Sequence, residues 1–253
     1  MARVIAVCNQ KGGVGKTTTA VNLGAALAAA GKYVLLVDLD SQANATIGLG
    51  LSLATDDVNV YHSLVSDTNP HAAVRTTGVY GYDILPATQA LAGATVELVS
   101  MEEREYRLRR TLNHLRNNYD YVLIDCPPSL GLLTVNALAA ADKVLIPVQC
   151  EYYALEGLGQ LMRSIELVRG GLNHDLQVLG VVLTMFDGRN ALSRQVAQEV
   201  AAHFPGRVFE AIIPRTVSAA EAPSFGKSLL DHDPTSKAAE GYQRLADEII
   251  QVS

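Results

Sequence analysis

Residues 9–19 read NQKGGVGKTTT and follow directly on a short apolar run, VIAVC, at residues 4–8. An apolar run, a glycine-rich loop, then lysine and threonines heading an alanine- and leucine-rich stretch is the strand–loop–helix order of a phosphate-binding loop. Gly12, Gly13 and Gly15 permit a tight turn around Val14 whose backbone N–H groups face inward. The helix that follows adds unpaired N–H groups and the positive end of its dipole at the same point. Lys16 is placed to reach the β- and γ-phosphates of a nucleoside triphosphate, Thr17 to offer a hydroxyl to Mg2+, and Thr18 to meet an α-phosphate. A glycine-rich turn without a ligand is the plainer reading, and the Lys-Thr pair at the head of the helix argues against it.

The loop departs from the common spacing G-x-x-x-x-G-K-[ST]. Gln10 stands where that pattern has its first glycine, and a second lysine, Lys11, follows. Lys16 already supplies the usual cation. A long ammonium earlier in the loop can project outward to a nucleotide held by a second copy of the chain and stabilise charge on the transferring phosphoryl group. It can equally be a solvated lysine that raises the local potential, and residue chemistry alone leaves both open.

Outward from the loop, short β-rich apolar runs alternate with longer helical ones. YVLLVDLD at 33–40 is apolar until its acidic end, as in a strand buried on both faces. YDILPA, YDYVLIDCP, DKVLIPV, LQVLGVVLTMF and VFEAIIP repeat the theme. Helices are predicted near residues 18–30, with Gly31 as C-cap, and at 95–115, 132–140, 154–169, 194–203 and 236–250. Strands alternating with helices predict an α/β fold: a doubly wound, mostly parallel twisted sheet of about seven or eight strands. No linker or composition shift divides the chain, so residues 1–253 are expected to form a single domain.

In such a sheet, ligands bind beyond the carboxyl ends of the strands. The segments there are the loop itself, DLDSQAN, DCPPSLG, VQCEYYALEG, TMFDGRN and IPRTVS. Asp40 and Asp125 end apolar runs, and with Thr17 they are candidates to hold a Mg2+ shell; Asp38 is a weaker one. Turn formation and helix capping are the ordinary duties of any one such aspartate.

With 49% hydrophobic and 18% charged residues among 253, the chain is globular. Cys8, Cys126 and Cys150 form no C-x-x-C pair and predict neither a disulfide framework nor a metal site. No stretch reads as a membrane span and the N-terminal apolar run is short for a signal peptide, so a cytoplasmic protein is expected. The net charge of −6 confines any nucleic-acid surface to a local basic patch.

KGGVGKTT with Lys11 resembles the deviant Walker A signature of the MinD/ParA superfamily. VLLVDLDSQANAT, YDYVLIDCPPSLG, PVQCEYYALEGL, TMFDGR and EAPSFGKS carry the resemblance to the ParA (Soj) partitioning ATPases along nearly the whole chain. The resemblance implies ATP hydrolysis with Mg2+ in an ATP-driven sandwich homodimer, with Lys11 serving the partner copy's nucleotide. It gives Asp125 the Walker B role and makes Asp40 the aspartate that positions the attacking water. Catalysis thus falls to Lys11, Lys16 and Asp40. Pro214, Thr216 and Met185 match the family's adenine end, although the family often has Asn at the place of Thr216. Ser41 and Ala43 stand where the family commonly has Pro and Gly.

The family further implies binding of nonspecific double-stranded DNA, for which Arg189, Arg215 and Lys227 are candidates, and stimulation by a ParB-type centromere-binding protein, hence association with the nucleoid. A MinD-like membrane ATPase is the alternative; it ends in a basic amphipathic helix, whereas this chain ends YQRLADEIIQVS. A reductase like the nitrogenase iron protein needs paired cysteines, and Cys126 stands alone beside the loop.

Overall fold

The computed structural model describes residues 1–54, 56–66, 68–151 and 154–252. Tyr152 and Tyr153, within one of the strand-end segments named above, lie outside the described residues. Eight strands are found among those described: β1 (Arg3–Val7), β2 (Val34–Asp38), β3 (Arg75–Thr76), β4 (Tyr82–Leu85), β5 (Tyr121–Asp125), β6 (Lys143–Gln149), β7 (Gln177–Phe186) and β8 (Val208–Pro214). They make one sheet in the order β3-β4-β2-β5-β1-β6-β7-β8. Every pairing is parallel except β3 with β4, so the strand beyond the seven apolar runs read from the sequence is a two-residue antiparallel one at the edge.

The continuous apolar runs are explained by burial on both faces. Along β1, Val4 and Ala6 join one core and Ile5 and Val7 the other. The first core is roofed by helices Val60–Val65, Leu91–Glu97, Arg107–Leu115, Leu132–Ala140, Ala154–Gly171 and Ala191–His203. The second is covered by Lys16–Ala29 and Lys237–Val252. Gly31 (φ +78°) ends the first of these in the left-handed conformation, one residue beyond the cap Ala30.

The helix predicted over 95–115 is in fact two. Leu91–Glu97 runs into a 3-10 turn at Leu98–Ser100, and a new helix starts at Arg107. Residues 102–105 read EERE and offer no apolar side to pack, while Leu98, Leu108, Leu112 and Leu115 on either flank are all buried. Glu103 takes φ +50° where the chain reverses.

The chain leaves β1 toward β2 on one side, returns to β5, and then crosses β1 to reach β6 on the other. The carboxyl end of β1 is therefore the switch point at which a crevice opens. Register puts Val7, Asp125 and Asp38 level with one another across β1, β5 and β2.

Candidate nucleotide site

The loop after β1 is held by its neighbours. The Asn9 side chain donates to the Pro147 carbonyl (2.7 Å) and accepts from the Lys11 N–H (3.0 Å). Gln10 bonds Ser164 (3.1 Å), and the Thr184 hydroxyl donates to the carbonyl of Val14, whose side chain is buried (2.8 Å). Gly13 and Gly15 take φ +74° and +85°, backbone that suits glycine. No side chain caps helix Lys16–Ala29, which leaves its first N–H groups available to an anion.

A cavity of ≈360 Å³ opens above this loop. Gly12, Gly13, Gly15, Lys16, Thr17, Thr18, Asp40 and Met185, all named from the sequence, line it together with Gln42, Asn44 and Pro128. Lys16 is buried, and its Nζ donates to the Lys11 carbonyl at 3.0 Å. Burial holds its pKa below the ordinary lysine value, with Asp125 pulling the other way. A phosphate in the cavity would give this buried ammonium an anionic partner.

The two strand-end aspartates level with each other differ in their bonding. Asp125 is fully buried and neither of its carboxylate oxygens has a hydrogen-bond partner of ordinary geometry. Burial first, then Asp38 beside it, hold its carboxyl well above the usual range; Thr17 and Lys16, which face it, oppose the rise. A buried, unsatisfied carboxylate next to a threonine hydroxyl suits a cation shell. Among the described residues no three His, Cys, Asp or Glu side chains group to hold a metal unaided. Phosphate oxygens, Thr17 and water would complete the coordination that Mg2+ prefers.

Asp38, by contrast, is bonded. It accepts from the Thr46 N–H (2.9 Å) and hydroxyl (2.7 Å) and from the Asp40 N–H (3.2 Å), and burial pushes its pKa up to about 6. Its work is to close the loop over residues 39–46, a structural duty for which Thr46 is the residue that sequence reasoning overlooked. Asp40 is half-buried at the cavity wall, and its Oδ1 accepts from Gln42 N–H at 3.0 Å. Ala43 turns the same loop at φ +52°.

A second, mostly apolar cavity of ≈200 Å³ shares Gly15, Thr18 and Met185 with the first and is completed by Thr184, Ile213, Pro214, Arg215, Thr216, Ala219, Ala220 and Tyr242. Its size and lining suit a flat heteroaromatic base. Met185, at φ +50°, forms the wall between the two spaces. Thr216 lines the pocket, but its hydroxyl accepts from Ala219 N–H (3.2 Å) and caps helix Val217–Glu221, so it is already engaged. Thr184 opens the TMFDGRN segment picked out from the sequence, whereas Tyr242 comes from a distant helix and nothing local in the sequence marks it.

Lys11 lies at the rim, its side chain 38% exposed, and pairs with Glu151 at 3.1 Å. Arg189 is almost wholly exposed and pairs with Asp187 on its own loop (3.1 Å). Arg215 and Lys227 are also exposed, and none of these three basic residues bonds another. Cys126 is buried beside Cys8; that thiol and the burial hold it well above its ordinary range, as a protonated packing residue rather than a thiolate ligand.

Triphosphate, metal and base can be met along one continuous cleft at the switch point, and the chemistry this order serves is that of a P-loop nucleoside triphosphate hydrolase. The family model described as an AAA domain matches residues 2–178. The chain is 55% identical over 249 residues to the sporulation initiation inhibitor protein Soj of Bacillus subtilis, covering 98% of both. It is 53% identical over 250 residues to the chromosome partitioning protein ParA of Caulobacter vibrioides, covering 98% of this chain and 94% of that one. A solved structure described as cobyrinic acid a,c-diamide synthase from Mycobacterium smegmatis, with bound ADP and magnesium, superposes with a TM-score of 0.87 at 43% identity, over 99% of this chain and 95% of that. Pyrococcus furiosus cell division ATPase MinD superposes with a TM-score of 0.81 at 28% identity over the full length of both. The chain belongs to the ParA/Soj family of chromosome-partitioning ATPases, and it is an ATP hydrolase that uses ATP with Mg2+.

Proposed function

We propose that residues 1–253 act as a single ParA-type domain that ATP closes into a face-to-face homodimer, that the dimer holds nonspecific double-stranded DNA, and that hydrolysis releases it. The observation that carries this reading is the position of Lys11. Lys16 already serves the subunit's own phosphates, and Lys11 stands at the rim, restrained by an exposed ion pair worth only about 0.2–1 kcal/mol. A nucleotide in a second copy is the strongest anion it can find there.

Within a subunit, the loop N–H groups, Val14 included, and Lys16 bind the β- and γ-phosphates, Thr18 meets the α-phosphate, and Thr17 and Asp125 hold the Mg2+ shell with Asp40 near it. Bound Mg2+ supplies charge neutralisation of the phosphates. Asp40 orients the attacking water, and Lys11 of the facing copy stabilises charge on the transferring group. Met185, Pro214 and Thr216 wall the adenine, Thr216 through its backbone because its hydroxyl is engaged. Arg189, Arg215 and Lys227 contact DNA phosphates. A ParB-type partner stimulates turnover, and the cycle keeps the protein on the nucleoid.

Helix Lys237–Val252 offers a lipid surface no free apolar face. Lys237–Val252 spends its apolar side on the core through Ala238, Tyr242, Leu245 and Ile249. Among the described residues no helix is long and apolar enough to cross a membrane. The test is ATP-dependent retention on random-sequence duplex DNA at moderate salt, with Arg189→Ala alongside wild type. Retention lost in the variant while ATP-driven dimerisation persists supports the reading; undiminished retention contradicts the place of Arg189 on the DNA surface.

A further inference from the structure

Residues 39–50, which leave β2 and pass Asp40, touch residues 222–229 through two glycines. Gly50 (φ +76°) and Gly226 (φ +63°) both hold left-handed backbone and stand back to back. A Cβ on Gly50 would meet the Gly226 carbonyl oxygen at 2.9 Å, and one on Gly226 would meet Gly50 Cα at 2.6 Å. Close by, a Cβ on Gly48 would come within 3.7 Å of the Pro223 ring. No side chain stands between the two glycines to give way, so neither segment can move toward the other without displacing it.

Each segment is also fastened to the nucleotide site. Thr46 bonds Asp38 through its N–H and hydroxyl, eight residues along the loop. Asn22, buried on the phosphate-loop helix, donates to the Thr18 carbonyl (2.7 Å) and accepts from Leu229 N–H (2.6 Å). Exposed Lys227 sits directly after Gly226 and two residues before Leu229, between both fastenings. A cavity of ≈300 Å³ is lined by Thr17 and Thr18 of the phosphate-loop helix, by Asn44 and Ile47 of the first segment, and by Pro223 and Lys227 of the second, so both segments border the start of that helix.

We infer that the Gly50–Gly226 contact and the Asn22 bridge are the positioning elements of Lys227, so that what occupies the phosphate cleft sets how this lysine is presented to the DNA backbone. The inference rests on the DNA reading above. Loop 39–50 is the element both sites bias: Asp40 faces the cleft at one end, Gly50 carries Gly226 at the other, and Ala43 (φ +52°) holds strain between them.

The test is duplex DNA binding with ATP and Mg2+, and with ADP and Mg2+, for wild type, Lys227→Ala, Gly226→Ala and Asn22→Ala, with dimer mass read by light scattering. Gly226→Ala and Asn22→Ala are each expected to weaken ATP-dependent DNA binding by about tenfold, toward the level of Lys227→Ala, while ATP-driven dimerisation stays within about twofold. Asn22→Ala leaves both glycines intact and carries the test if Gly226→Ala does not fold. Hydrogen exchange on wild type adds a readout without substitution: ATP with Mg2+ is expected to slow exchange at residues 226–229 together with 40–50. Wild-type DNA affinity in the two positioning variants, or exchange that slows in 40–50 and not in 226–229, overturns the coupling. Wild type that ignores DNA altogether overturns instead the DNA reading on which it rests.

Discussion

Asp38, Asp40 and Asp125 are one residue type with three fates. A strand's acidic exit is legible in sequence because several apolar runs end in aspartate around one phosphate loop, although turn formation or capping could account for any one of them. What is not legible is how far each strand runs. β2 stops at Asp38, level with Asp125, so Asp38 is sealed inside and satisfied by Thr46, whereas Asp40 two residues on reaches the cleft. The partner of Lys11 was equally hidden, because Glu151 lies far along the chain on another strand's exit. Asp125 carries a pH signature. Its folded pKa is raised, so between the ordinary carboxylate range and that value the native state keeps a proton that the unfolded chain releases. Stability of the metal- and nucleotide-free protein therefore falls as pH rises through that window. Asp125→Asn is expected to raise the Tm of EDTA-treated protein, by more at pH 7 than at pH 5, and to remove most Mg2+-dependent hydrolysis. A Tm gain that does not grow with pH would contradict a buried, unpaired carboxyl. In the cleft, Lys16→Ala is expected to weaken ATP binding itself, whereas Asp40→Ala is expected to keep ATP and accumulate the dimer. Titration of a fluorescent ATP analogue and light scattering separate the two, and an Asp40→Ala protein that stays monomeric with ATP would remove the catalytic role given to Asp40.

At the scale of elements, the parallel strands were readable because a strand buried on both faces leaves an unbroken apolar run. The edges were less so. β3 is two residues long and both are polar, too little for any periodicity to register. β8 forms the other edge, and there the last helix does something its sequence does not announce. Glu248 accepts from the N–H groups of Glu210 (3.0 Å) and Ala211 (2.7 Å), covering donors that an edge strand would otherwise present to another chain. Glu248→Ala is expected to cost about 1–3 kcal/mol in urea denaturation, from two donors left without a charged acceptor. Stability equal to wild type would mean that water replaces the carboxylate at no cost. The helix predicted across 95–115 failed for a reason that element-scale patterning can show: a four-residue charged run with no apolar member has no side to bury, and the chain turns there.

For the molecule as a whole, the excess negative charge and the exposed Arg189, Arg215 and Lys227, each on a separate loop, correspond on the proposed reading to a subunit with weak attraction for DNA by itself. Two copies brought together double the number of such residues on one body, and salt dependence grows with the number of phosphates neutralised. On the proposed reading, closure is the event from which DNA affinity, hydrolysis and release all follow, and it turns on Lys11 exchanging Glu151 for a facing nucleotide. The most direct measurement is the mass in solution of wild type and Lys11→Ala with Mg2+ and a non-hydrolysable ATP analogue, both shown to bind the analogue. The account predicts twice the chain mass for wild type and a single chain mass for Lys11→Ala; a Lys11→Ala protein that binds nucleotide and pairs as readily as wild type would contradict it.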